Sequence, residues 1–319
     1  MVLKIFHKIR SLIKEFFPEH HKDNLKYGLK KYQIYPQGKY FIKSLKDNTQ
    51  EKLNKSNFSL NNNILSIGTC FAEEFSYFLK KKSKSYKILE ENTFNFVSNW
   101  GRVYTVSNLK QLIQYSFNDD FPIFTRRGIK GYFDPIRDYS CGSFGTKKDL
   151  EKNIKIHRKL SKKVLVNANF IFITLGQTEA WIDKSDNFTW GAAPVWCNDF
   201  HSKKREKYIQ KNFTLEEIIK DLNYVINELK DNNKNIKIFL TLSPVPSHST
   251  FFKNNVILTS STGKAKLRLA IENILDNYQD VFYISSYENV VYDNKNYKVD
   301  NRHVKRNKVG HIFSTFKNY

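Results

Sequence analysis

Four short runs of β-branched, aromatic and aliphatic residues, each of strand length and separated by longer helical patterns, constrain this chain more than any other feature. They are ILSIG at 64–68, NFIFITLG at 169–176, IKIFLTL at 236–242 and VFYIS at 281–285. A strand that is apolar at nearly every position is covered on both faces, so these runs predict a parallel sheet with helices on each side. The intervening helical stretches begin at AEEFSYFLKKK, continue with a long polar helix that includes His157, and end with helices from about Leu215 to Lys230, Lys264 to Asp276 and Val304 to Phe316. The expected fold is a three-layer α/β/α domain. No internal repeat breaks the pattern.

The chain has 319 residues, 40% of them hydrophobic and 15% aromatic, enough to close a large core. We divide it into residues 1–55, a basic helix with an irregular lead-in, and the domain at 56–319. Within 1–16, Val2, Leu3, Ile5, Phe6, Ile9, Leu12, Ile13 and Phe16 fall at helical spacing among Lys, Arg and His. Such a helix suits the surface of an anionic membrane or packing against protein equally well. It is too short and too charged to span a bilayer, and it lacks the apolar core of a signal peptide. Cys70, Cys141 and Cys197 form no even framework and no CxxC pair, which favours a reducing cytoplasm over a disulfide scaffold and suggests no zinc site.

Lys and Arg exceed Asp and Glu by 53 to 31, a net charge of +22. The excess is spread along the chain among many Asn, and no helix-turn-helix, zinc-finger or RNP pattern accompanies it, so nucleic acid is the weakest partner class.

Open parallel sheets bind ligands beyond the carboxyl ends of their strands. At that rim the four runs are followed by Gly68-Thr69-Cys70, Gly176-Gln177-Thr178-Glu179, Ser243-Pro244-Val245-Pro246 and Ser286-Tyr287-Glu288, with Asp300-Asn301-Arg302-His303 further on. Cys70 stands just ahead of a helix whose apolar face reads Phe71, Phe75, Phe78 and Leu79. Free N–H groups and the helix dipole there stabilise a thiolate and can bind an oxyanion; a buried, inert cysteine is the plainer reading of the same position. In DNRH a carboxylate three residues before an imidazole can accept the Nδ1–H and leave Nε2 as a base. His248, after Pro246, is a rival base. Trp181 and Trp190 are either core residues or platforms for a sugar ring.

The segment ILSIGTCFAEEF resembles the signature of the GSCFA family, with Thr69 at the serine of the name. GRVYT at 101–105 leading to LKQL, TLGQTEAW at 174–181, LTLSPVP at 240–246, KAKLR at 264–268, SSYE at 285–288 and DNRH at 300–303 resemble its later blocks, in order, over roughly residues 60–316. The family is similar to the SGNH (GDSL-type) hydrolases. This resemblance implies Cys70 as nucleophile, His303 as base, Asp300 as the holder of its tautomer, and the N–H groups of Cys70 and Gly101 as oxyanion donors. Thr178 stands where that superfamily has an oxyanion Asn, so Thr178 or Gln177 would have to substitute. Glu179 would bind a substrate hydroxyl or anchor a loop. The implied activity is an esterase or acyltransferase on O-acyl groups of a small molecule or carbohydrate, without metal or organic cofactor. The alternative is a non-catalytic glycan-binding or scaffold protein.

Overall fold

The computed structural model describes residues 40–82, 100–201, 206–292 and 294–319. The proposed membrane-facing helix at 1–16 lies outside them. The chain divides into two units, Met1–Asn48 and Thr49–Tyr319. Helix α1 (Tyr40–Lys55) spans the boundary.

The larger unit is built on a four-stranded parallel sheet in the order β1 (Ile64–Gly68), β4 (Phe170–Leu175), β8 (Lys237–Leu242) and β9 (Val281–Ile284). These are the four runs singled out in the sequence. Side chains along a strand alternate between faces, and here both faces are apolar because both are covered. Ile171, Ile173, Ile238 and Leu240 enter one core with helices α3 (Val106–Phe117), α4 (Lys147–Val166), α5 (Leu215–Asn232) and α6 (Val256–Asn277). Phe170, Phe172, Phe239 and Ile284 enter the other, with α2 (Cys70–Lys82) and the C-terminal segment. The result is the α/β/α sandwich expected from the pattern.

The second core is rich in aromatic rings. Phe172 and Phe239 stack at 4.6 Å between centroids, and Phe58 meets Phe170 edge-on at 5.0 Å. Burying each ring contributes about 2–3 kcal/mol. Phe71, Phe75 and Leu79 of α2 are buried against this layer, with Phe78 partly so, the face read from the sequence. Leu53 of α1 packs here beside Phe58, so the stretch 40–55, read from the sequence as irregular lead-in, is helical and gives the core a residue from before position 56.

Two helices differ from their expected limits. α6 starts at Val256 rather than near Lys264, because the Asn255 side chain caps it by accepting from Ile257 N at 2.8 Å. Its first turns, rich in Ser, Thr and Gly, have weak helix propensity but provide a buried face of small residues: Thr259, Ser260 and Gly263. The closing segment is α-helical only over Arg306–Ile312 and continues as a 3-10 helix over Phe313–Asn318. The sequence pattern also passed over a hairpin of β2 (Arg126–Gly128) with β3 (Gly131–Phe133), and a three-stranded antiparallel sheet. In the latter, β5 (Glu179–Asp183) lies between β6 (Phe188–Thr189) and β7 (Tyr208–Asn212). These strands lack the continuous apolar run of the central ones and, at two to five residues, carry too few alternations to stand out.

Among the described residues no helix is long and apolar enough to cross a membrane.

Candidate active site

Beyond the carboxyl end of β1 the backbone turns sharply. Gly68 has φ +139°, and a Cβ there would lie 2.4 Å from the Thr174 carbonyl oxygen of β4, so a side chain is excluded by both torsion and space. Thr69 then closes the helix start. Its hydroxyl accepts from Phe71 N at 3.2 Å and its carbonyl accepts from Ala72 N at 2.8 Å and Glu73 N at 3.2 Å. The hydroxyl donates in turn to Ser243 Oγ at 3.2 Å, tying the ends of β1 and β8 together. Cys70 is therefore the first residue of α2, and among the described residues neither its N–H nor its Sγ has a hydrogen-bond partner.

The strand-like segment at 101–105 crosses the same edge: Val103 N donates to Gly68 O and Gln177 N to Tyr104 O, both at 2.8 Å. Gly101 itself, at φ +73°, packs toward Asp138, Ser140 and Cys141, a Cβ there meeting Asp138 Cβ at 2.7 Å. Its neighbour Arg102 is the residue that acts on the thiol. Arg102 donates through Nε to Glu73 Oε2 at 3.0 Å and also hydrogen-bonds the Tyr104 hydroxyl.

Three cations surround the thiol: Arg102, Arg302 and Lys264 all favour its ionised form. Burial outweighs them, and the Cys70 thiol is pushed up from its ordinary value, with Glu73 adding to the rise. This corrects the expectation of a resting thiolate at the helix N-terminus, because the loss of water around sulfur exceeds what the dipole and the cations return. Cys70 is nonetheless partly exposed, whereas Cys141 and Cys197 are buried, and Cys141 is pushed up to about 12 by desolvation.

Asp300 and His303 form the pair read from the sequence. Asp300 Oδ2 is 2.5 Å from His303 Nδ1, and Asp300 Oδ1 accepts from the backbone N–H of both Arg302 and His303. The hydrogen bond from His303, then those from the backbone, hold the Asp300 carboxyl well below the usual range. Arg302, between them, donates through Nε to Pro246 O and lies with Nη1 3.0 Å from His303 Nε2. The nitrogen that would serve as base thus faces a guanidinium, which also lies in the field of Cys70. Arg302 thus sits against His303 Nε2 while its charge acts on the thiol.

The turn after β4 provides the remaining residues. Gly176 is confined by Thr69, whose Cγ2 would stand 2.3 Å from an added Cβ. Gln177 faces a cavity of about 160 Å³ whose lining includes Tyr104, Glu179, Trp181, Trp190, Gln210 and His248. Thr178 is buried with its hydroxyl toward α6, 3.1 Å from where Gly263 would carry a Cβ. Glu179 anchors a loop: the Thr250 hydroxyl lies 2.9 and 3.0 Å from its carboxylate oxygens. Burial pushes its carboxyl up, against the hydrogen bond from Thr250 and the charge of Lys266.

Trp181 and Trp190 are mostly core residues, edge-on to Phe251 and tilted on Phe188 respectively, yet each presents an edge to the cavity. The buried Trp190 Nε1 has no partner among the described residues. His248 is exposed at the cavity rim.

Sequence reasoning missed Arg102, Lys264 and Arg302 as site residues, although each stands inside a block or motif that had been singled out. Their common signal is a cation beside a polar turn at the strand ends, which a chain with 53 Lys and Arg conceals.

No curated protein matches the chain. The GSCFA family matches it over residues 63–316, from the strand before Cys70 to beyond His303, and the chain belongs to that family.

Proposed function

We propose that this protein is a cysteine-dependent esterase or acyltransferase for O-acyl groups, carbohydrate or surface polysaccharide being the substrate class, on a fold related to the SGNH hydrolases. The observation that carries this reading is the arrangement at Cys70. A partly exposed thiol begins a helix, has an N–H with no partner beside it, and lies in the field of three cations, one of which, Arg302, also meets a carboxylate-held imidazole. Such a thiol attacks a carbonyl as a thiolate and forms a thioester, which water or a second hydroxyl then cleaves.

His303 takes the thiol proton at Nε2 once Arg302 has swung from that nitrogen, and Asp300 keeps the proton of Nδ1 in place. The cavity lined by Gln177, Glu179, Gln210 and the Trp190 indole offers donors and acceptors beside aromatic edges, the chemistry that a sugar ring needs.

The test is turnover of p-nitrophenyl acetate together with alkylation by iodoacetamide. Cys70→Ala and His303→Ala should each abolish turnover, with the double variant little worse than either single one. Cys70 should be alkylated before Cys141 and Cys197. Turnover that survives Cys70→Ala would refute the assignment.

The raised thiol and the guanidinium on His303 Nε2 favour a second reading, a non-catalytic glycan-binding site. That reading predicts carbohydrate affinity without turnover.

A further inference from the structure

One of the three cations around Cys70 enters the reading above only through its charge and has no catalytic role there. Lys264, on α6, is 5% exposed, and its Nζ donates to Gly176 O, the turn after β4, at 2.7 Å. An ammonium has three donors, and among the described residues no second acceptor meets this one. The charged neighbours that set its protonation are the Cys70 thiol and the Arg302 guanidinium, neither of them a carboxylate. Burial costs an ammonium its hydration, and this one is pushed down to about 7. A buried cation with two unused donors and no counter-ion is expensive to keep; what it lacks is an anion, and Cys70 is the group near enough to favour its charge.

The same turn shows which anion. Thr178, at the position where an oxyanion donor is expected, faces Gly263 of α6. The next residue of that helix is Lys264. The small residue Gly263 lets α6 approach Thr178 closely, and Lys264 beside it reaches the same turn at Gly176 O.

We infer that Lys264 is a further catalytic residue of the Cys70 site, its Nζ donating to the oxyanion that forms when the thiolate attacks an acyl carbonyl. This rests on the esterase reading. In the step, the Sγ electron pair forms the S–C bond while the C=O π pair moves onto oxygen, where Lys264 Nζ and the Cys70 N–H donate to it. The oxyanion then re-forms the carbonyl and the C–O bond to the leaving group breaks, the departing oxygen taking that pair and then the proton held by His303.

Two reactions of the same sulfur separate this role from a mere effect on thiol ionisation. Acylation by p-nitrophenyl acetate passes through an oxyanion; alkylation by iodoacetamide does not. Both depend on the thiolate fraction, which cancels in their ratio at Cys70, read by mass spectrometry of the Cys70 peptide. Lys264→Met should lower the ratio of acylation to alkylation on the order of 10²-fold. An unchanged ratio in folded Lys264→Met overturns the assignment.

The unaltered chain supplies a second measurement if the variant does not fold. The ratio should fall as pH rises through about 7, where Lys264 loses its proton, and a flat ratio across that range overturns the role. If Cys70 in the unaltered chain shows a ratio no higher than a free thiol such as glutathione, the esterase reading fails and takes the role of Lys264 with it. A high ratio that Lys264→Met leaves intact removes the lysine alone.

Discussion

Gly68→Ala tests how the turn ahead of Cys70 is built. The added methyl would lie 2.4 Å from Thr174 O, 2.8 Å from Thr174 Cβ and 3.0 Å from Thr174 N. These atoms cannot retreat, because β4 is hydrogen-bonded on both sides, to β1 and to β8. The backbone cannot relieve the clash by rotating, since φ of +139° is itself disfavoured for alanine. Strain at such a torsion costs about 1–3 kcal/mol, and overpacking against fixed neighbours costs about 1–3 kcal/mol more. We therefore expect a loss of about 2–6 kcal/mol, a large share of the ~5–15 kcal/mol that holds a typical protein folded. Urea unfolding followed by fluorescence measures it, with Gly145→Ala as control, where a Cβ meets nothing within 4 Å. A Gly68→Ala unfolding free energy within about 0.5 kcal/mol of the control, the usual scatter of neutral substitutions, would refute the argument that this turn admits no side chain.

Other parts of the molecule give further tests. Asp134 and Arg137 form a fully buried pair at 2.8 Å, with Arg137 also donating to Asn153 at 3.0 Å; Asp134→Ala strands the guanidinium and should cost about 3–5 kcal/mol in the same assay. Lys264 is pushed down to about 7 in the fold, while an unfolded lysine titrates near ~10.4. Between these values the unfolded chain binds more protons, so this group adds stability as pH rises and removes it below about 7. The stability of the unaltered chain relative to Lys264→Met should therefore climb from about pH 7 toward about pH 10; a constant difference would show that the lysine is not desolvated. Removing residues 1–48 should leave one cooperative thermal transition, because the unit Thr49–Tyr319 contains both cores. Removing residues 1–60 should not, since Leu53 and Phe58 go with them and a buried Phe alone is worth about 3–5 kcal/mol.

The sequence by itself determined the central sheet, because a strand covered on both faces must be apolar throughout, and the shortness of these runs with their β-branched and aromatic residues separates them from a buried helix. It placed the start of α2 to within two residues, directly after Cys70, which the fold makes the first residue of the helix. It also determined the Asp300–His303 pair, whose members are close enough along the chain to meet in a local turn. These features depend on near neighbours. What surrounds Cys70 does not. Arg102, Lys264 and Arg302 come from three distant segments, and only the packing of α6 and of the loop after α7 (Glu288–Val291) against the strand ends brings them to one sulfur. The protonation of Cys70 and Lys264 was decided there as well. A helix N-terminus favours a thiolate and a lysine is ordinarily charged, but both preferences yield to burial, a property of the assembled fold. The small antiparallel sheet was likewise settled by tertiary contacts, and so was the persistence of the first turns of α6 beyond their local Asn255 cap, where a row of small side chains at Thr259, Ser260 and Gly263 matters for how closely it lets a helix approach and not for the weak helical preference it shows in isolation.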